Sequence, residues 1–471
     1  MMDEARKRRV LLAVMLAIFL AAIESTVVAL AMPTVVASLG GIRFYSWVFS
    51  GYLLTQTVSM PLWGRFSDLY GRRPVYLTGL ATFLVGSALS GASQDMAQLI
   101  AFRMVQGLGA GSLMTLGYTI IGEIFGLERR AKLQGYLSGV WGVASMVGPP
   151  LGGLLTDHVS WRSVFYMNVP FGAVAMALVA TALGSEARPA RRPTIDWPGA
   201  ACFTAGIVLV MLALLEAGRE AAWSGAGVLA PLAGGAVALA AFVAVERHAP
   251  EPIVPLGLFA RRMVVAAVLT RSLAAMAMFG ALAFVPLFVQ AVTGASATRS
   301  GAVLAPFVLG WVALSATSAR LVLRVGYRSV VMAGVACLTG AFLLLARWDA
   351  GLSVVGAMRD VLLAGVGMGL VIVPMLIAVQ SAVPRSDLGV ATSVIQFFMS
   401  IGGAVGVAVM GTVMAQSLAA GRPLVDALHG VFVTGLVVCA GALASALLVP
   451  PGRAQDLARA EMRGEPTRVG G

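Results

Sequence analysis

Charged side chains inside long apolar segments are where this sequence is expected to do chemistry, because hydrocarbon penalises every ionised group placed in it. Glu24 is the first of them. An apolar run begins at Val10, so on a helix rising 1.5 Å per residue Glu24 lies roughly 21 Å beyond that point. A hydrocarbon core is about 30 Å thick, which puts the carboxyl well inside it. Held there, Glu24 can take up and release a proton, or it simply satisfies a neighbouring Ser, Thr or Arg. Arg103 enters its own run from the opposite face and reaches a similar depth. It is suited to modulating the proton affinity of Glu24, or to bracing helices through backbone carbonyls. Arg271 is a further cavity candidate, with snorkelling to the cytoplasm as the alternative. Arg359 and Asp360 occupy a place related to Arg103 later in the chain. Adjacent helical residues do not share a face, so Arg359 is expected to point inward while Asp360 snorkels, or the two mark a helix end.

A second group of residues suits conformational control. The segment Gly64-Arg65-Phe66-Ser67-Asp68-Leu69-Tyr70-Gly71-Arg72-Arg73-Pro74 joins two apolar runs. Gly64 and Gly71 permit a tight turn and close helix approach. Asp68 can face a helix N-terminus or an arginine. Contacts of that kind, with Arg72 and Arg73, hold in one conformation only and form a latch; a plain arginine loop that sets membrane orientation is the alternative. Further on, Gly142 to Gly153 combines small residues with Pro149 and Pro150. Gly142, Gly148, Gly152 and Gly153 allow close packing, and Pro149 predicts a kink or flexible point.

The elements that must position these residues are membrane helices. Of 471 residues, 59% are hydrophobic and 11% charged, with mean hydropathy +0.90. A typical soluble domain is about a quarter charged, so a soluble enzyme, a disordered chain and a disulfide scaffold are excluded. Fourteen apolar runs are long enough to span, near 10–30, 44–62, 74–92, 97–122, 131–156, 162–183, 197–216, 226–246, 263–291, 300–319, 329–347, 354–378, 388–415 and 429–449. An even number places both termini on one side. The arginines and lysines test that count. Of 33, 24 fall in the termini and the segments on their side, six on the other side and three within runs. By the positive-inside rule both termini are cytoplasmic. The net charge of +12 therefore reflects topology, and no basic-aromatic module calls for nucleic acid. The N-terminal run is too long for a signal peptide and is read as an uncleaved first span.

The chain also repeats. A shift of 255 residues aligns Arg65 with Arg320, Gly71 with Gly326, Arg73 with Arg328 and Gly79 with Gly334. Gly107, Gly109 and Gly111, read as a small-residue face, are echoed by Gly365, Gly367 and Gly369. Runs 1–6 thus correspond to runs 9–14, with two extra helices between. Repeated halves place a substrate path at their interface, as in transporters. The expected division is a cytoplasmic N-terminus (1–9), an N-terminal six-helix bundle (10–184), a linker with two extra helices (185–262), a C-terminal six-helix bundle (263–449) and a cytoplasmic tail (450–471). Phosphate loops, metal clusters and nucleophile–base sets are missing from the sequence, and the three isolated cysteines have no metal or redox spacing. An enzyme, a metal site and a cofactor are not expected; an ion gradient would supply the energy.

These residues carry a resemblance to the major facilitator superfamily over nearly the full chain, and within it to the fourteen-span drug:proton antiporters. The Gly64–Pro74 loop looks like the superfamily signature between spans 2 and 3. Leu99 through Gly111, with Arg103, Gln106 and Gly107, is similar to the span 4 motif linked to proton coupling. Gly142–Gly153 resembles the antiporter motif of span 5. Three more segments are similar to the fourteen-span branch: Ile23-Glu24-Ser25-Thr26 running to Met32-Pro33, Trp161 through Pro170, and Asp196-Trp197-Pro198-Gly199-Ala200. The family usually carries Asp where this chain has Glu24, and Leu323 stands where the second half would match Asp68.

The resemblance implies an all-α polytopic protein of two six-helix bundles plus two inserted helices, working by alternating access. It implies proton-coupled export of small hydrophobic or amphiphilic compounds across the cytoplasmic membrane, by a monomer in contact with lipid. A lipid or metabolite exporter on the same fold, a proton-coupled importer, and a receptor or channel are the alternatives.

Overall fold

A computed structural model describes residues 3–40, 45–184, 195–220, 223–294, 302–349 and 351–451. Arg43, Arg188, Arg191, Arg192, Arg299 and the tail arginines lie outside the described residues, as does most of the expected linker–helix junction. Within the described residues the regular secondary structure is all helical, without strands. Runs this apolar must satisfy their own backbone N–H and C=O groups, and the helix does so within one segment.

The first half contains α1 (Glu4–Leu39), α2 (Tyr45–Tyr70), α3 (Arg72–Ala92), α4 (Met96–Ile124), α5 (Leu127–His158), a short α6 (Ser163–Tyr166) and α7 (Asn168–Ala182). Then come α8 (Trp197–Glu220) and α9 (Ala226–Glu246). The second half contains α10 (Arg262–Thr293), α11 (Ala305–Val325), α12 (Tyr327–Leu345), α13 (Val354–Ser381), α14 (Leu388–Ala419) and α15 (Leu424–Ala446). Twelve helical segments among the described residues are long and apolar enough to cross a membrane. The two long helices outside that set are α2 and α5. Each carries polar and charged residues within its length: Gln56, Arg65 and Asp68 in α2, Arg129, Arg130 and Lys132 in α5. Length and apolarity together thus mark twelve spans among the described residues, two fewer than the fourteen expected from the sequence.

The repeat seen in the sequence is a repeat of packing. In the first half α1 packs on α5 and α7, α2 on α4, and α3 on α4 and α7. In the second half α10 packs on α14 and α15, α11 on α13, and α12 on α13 and α15. The matching turns agree in detail. Gly71 ends α2 and opens α3 at φ 89°, and Gly326 does the same between α11 and α12 at φ 86°. A side chain is strained at such φ values, which accounts for glycine at both places. The caps recur as well: Asp95 accepts from the Gln98 amide at the start of α4, and Ser353 from the Gly356 amide at the start of α13.

The glycine triplets do not form one face. Gly107 and Gly111 lie against α2, while Gly109 meets α3 at Phe83. Likewise Gly365 and Gly369 lie against α11, and Gly367 against α12 at Gly334 and Leu338. Residues two apart are on nearly opposite sides of a helix, so each triplet packs α4 or α13 closely between two neighbours. The pair α8–α9 packs mainly on itself, with α8 touching α2 and α14. The Asp196–Ala200 segment is the start of α8: Asp196 accepts the Gly199 amide at 2.9 Å, and Pro198 fits the first turn.

Candidate functional site

Glu24 on α1 and Arg103 on α4 meet inside the first half, each 1% exposed, and form an ion pair through Arg103 Nη1 and Glu24 Oε1. Three more buried polar residues complete the cluster. Asn168, the first residue of α7, donates its amide to the other carboxylate oxygen of Glu24 at 2.5 Å and to Ser87 Oγ at 3.0 Å. Gln106, one helical turn along α4, accepts from Arg103 at 2.7 Å and donates to Ser87 at 3.1 Å. Ser87 of α3 donates to the Phe165 carbonyl at 2.9 Å. The guanidinium also stacks over the Tyr52 ring of α2, 4.2 Å from its centre. One cluster thus joins α1, α2, α3, α4 and α7, and both oxygens of the buried carboxylate are held. No local signal in the sequence marks Asn168 for this role. At the start of α7 it is fully buried.

Asp68 and Arg72 form a second cluster at the end of the bundle that carries the Gly64–Pro74 segment. Arg72 donates to Asp68 Oδ1 and to Ser67 Oγ, and its Nε reaches Glu123 of α4 at 2.9 Å. Asp68 also accepts the backbone N–H groups of Gly389 at 3.0 Å and Val390 at 2.8 Å. Those amides open α14, so a carboxylate of one half caps a helix of the other, where the helix dipole favours negative charge. Gly64 makes the approach possible, since a Cβ there would overlap Ser393 and the Gly389 carbonyl. Arg73 is half-buried and takes no part in the cluster. Nearby, Gln134 of α5 donates to Gln380 of α13 at 2.6 Å, and Gln380 donates to the Tyr118 carbonyl of α4 and to Thr392 of α14. The two halves are sealed together along this end.

The glycines of α5 divide between two partners. Gly142 faces Val312 and Val308 of α11 in the other half, whereas Gly148 and Gly152 lie against Thr26 and Val27 of α1. A Cβ at Gly153 would meet nothing. The helix runs unbroken through positions 149 and 150, and the Pro149 side chain lies outside the described residues.

Arg271 is 1% exposed on α10 and donates through Nη2 to Gln396 of α14. It does not snorkel. Arg359 points outward, against the expectation of an inward-facing head: its side chain is 72% exposed, and the buried member of the pair is Asp360, at 4%. Arg359 reaches back to Asp360 at 2.8 Å, and the Trp348 indole donates to the second carboxylate oxygen at 2.9 Å. The long arginine stem spans the gap between adjacent residues while its charged head stays at the surface. Arg359 therefore has no place in an interior cavity.

Known proteins share this arrangement of helices. The family profile described as Major Facilitator Superfamily matches residues 14–407. The multidrug transporter protein MdtP of Bacillus subtilis is 36% identical over 412 residues, spanning 87% of this chain and 76% of its own. Multidrug resistance protein 3 of the same organism is 35% identical, spanning 87% and 80%. The efflux pump dotC of Dothistroma septosporum is 33% identical, spanning 87% and 71%. Among solved structures, the proton:xylose symporter XylE superposes with a TM-score of 0.68 at 13% identity, covering 97% of this chain and 99% of that one. The human organic anion transporter MFSD10 gives 0.66 at 18%, covering 94% and 100%; both likenesses concern the fold alone. With its repeated helix packing, the profile match and these relatives, the chain belongs to the major facilitator superfamily of membrane transporters.

Proposed function

We propose that this protein exports small hydrophobic or amphiphilic compounds across the cytoplasmic membrane in exchange for protons, by alternating access of two six-helix bundles. The relatives named for multidrug transport and efflux support the direction and the breadth of substrate. One observation carries the proton coupling: the buried Glu24–Arg103 pair with Asn168 on the second carboxylate oxygen. Protonation of Glu24 neutralises one partner and leaves the Arg103 charge buried without it, which is costly by several kcal/mol. The cluster ties five helices, so relief of that cost by helix movement links proton uptake to conformational change. Deprotonation on the other side of the membrane restores the pair.

The Asp68–α14 contact acts as the latch of the outward-facing form, since it closes the end bearing the Gly64–Pro74 loop. That end is taken as cytoplasmic, with both termini, and α2 and α5 are taken as spans, giving fourteen. The working unit is a monomer, and the proton gradient replaces any cofactor.

The test is transport of a dye and antibiotic panel in proteoliposomes under an imposed pH gradient. Wild type is expected to concentrate at least one compound against its gradient. Glu24→Gln is expected to lose pH-driven transport, and Glu24→Asp to retain most of it. pH-driven transport left intact in Glu24→Gln would overturn the coupling assignment.

A further inference from the structure

Arg271 is a buried cation that the structure leaves largely unsatisfied. Arginine carries five N–H donors. Of these, Gln396 takes one on Nη2, while Nε and Nη1 have no hydrogen-bond partner although the residue is 99% buried. Among the described residues no acidic side chain forms an ion pair with it. Tyr118 is the titratable side chain that acts on it electrostatically. Tyr118 belongs to α4 of the first half and Arg271 to α10 of the second, so the guanidinium looks across the interface between halves. The glutamine seam formed by Gln134 and Gln380 runs through the Tyr118 carbonyl. Arg271 thus sits at the edge of the contacts that must part when access alternates.

An uncompensated buried charge is destabilising by several kcal/mol, and the open N–H groups on Nε and Nη1 can each donate a charge-assisted hydrogen bond to a carboxylate or phosphate oxygen. Glu24 does not serve as the counter-ion, because both its oxygens are held by Arg103 and Asn168. We propose that Arg271 binds an anionic group of the substrate, so that the transported compounds include amphiphiles carrying a carboxylate or a comparable anion. The inference rests on the transport reading above and narrows its substrate class. The apolar part of such a compound would lie between the halves, and its anion would replace the missing partner of Arg271.

The probe is 11-(dansylamino)undecanoate, with its methyl ester as the uncharged control, titrated by fluorescence against purified protein in nanodiscs of phosphatidylcholine. Wild type is expected to bind the acid about 10- to 100-fold more tightly than the ester, the range of one or two charge-assisted hydrogen bonds. Arg271→Gln is expected to erase that preference, and Arg271→Lys to restore part of it. Equal affinity of wild type for acid and ester overturns the proposal, and that result needs no variant. Retention of the preference by Arg271→Gln overturns it as well. Loss of the acid's advantage in phosphatidylglycerol nanodiscs would assign the site to lipid headgroups and overturn the substrate role. None of these measurements needs a proton gradient, so Glu24→Gln tests the coupling independently.

Discussion

Asp68 accepts the backbone N–H of Gly389 at 3.0 Å across 321 residues of sequence. With Val390 beside it, the contact makes a side chain of the first half the N-terminal cap of a helix in the second. An anion at a helix N-terminus contributes about 0.3–1 kcal/mol when exposed and up to about 2 when partly buried. That is enough to bias two states that differ by a few kcal/mol.

Asp68→Asn is therefore expected to shift the closed end toward opening by several-fold to about 30-fold in population. Spin labels at Tyr70 and Arg385, on a background lacking Cys202, Cys337 and Cys439, would report it by pulsed electron resonance. An unchanged distance distribution would contradict the latch.

Gly389→Ala should be costly where Gly153→Ala is not. A Cβ at Gly389 would stand 2.7 Å from both the Gly64 carbonyl and Arg72 Nη1, and 2.5 Å from Asp68. Backbone cannot yield there, so a loss of about 1–3 kcal/mol is expected. At Gly153 nothing lies within 4 Å, and alanine should stabilise the helix by about 0.5–1 kcal/mol. Thermal unfolding in detergent ranks the two variants.

Asn168→Ala removes the donor to Glu24 Oε2 and to Ser87. A buried acceptor left unpaired costs about 1–3 kcal/mol, more when charged. The variant should unfold at lower temperature and couple transport to pH less tightly. Substrate transport per proton in proteoliposomes measures the second effect.

Arg359→Gln is expected to leave transport at the wild-type rate, because its head is in the open and exposed ion pairs contribute about 0–1 kcal/mol. Asp360→Asn should cost more, since it weakens the buried bond from Trp348. Transport rates and unfolding temperatures of the two variants separate these roles. Equal damage from both would show that the pair works as a unit.

The sequence by itself determined the helices, because runs of apolar residues must fold so in hydrocarbon whatever their neighbours. It also determined the repeat: Gly71 and Gly326 are identical turns because only glycine accepts their φ without strain. The matching depth of Glu24 and Arg103 along their helices, which lets them meet in one ion pair, follows from counting residues at a fixed rise. Depth is one coordinate, and the tertiary structure decided the others. Which way a residue faces depends on how its helix is rotated against its neighbours, and a single sequence carries that weakly when nearly every position is apolar. Hence Arg359 faces outward and Asp360 inward, the α4 glycines serve two partners, and Asn168 completes a site begun 144 residues earlier. The partner of Asp68 was beyond local reading for the same reason: a helix N-terminus offers its amides to any nearby carboxylate, and only the packing of the two halves brings α14 to this one.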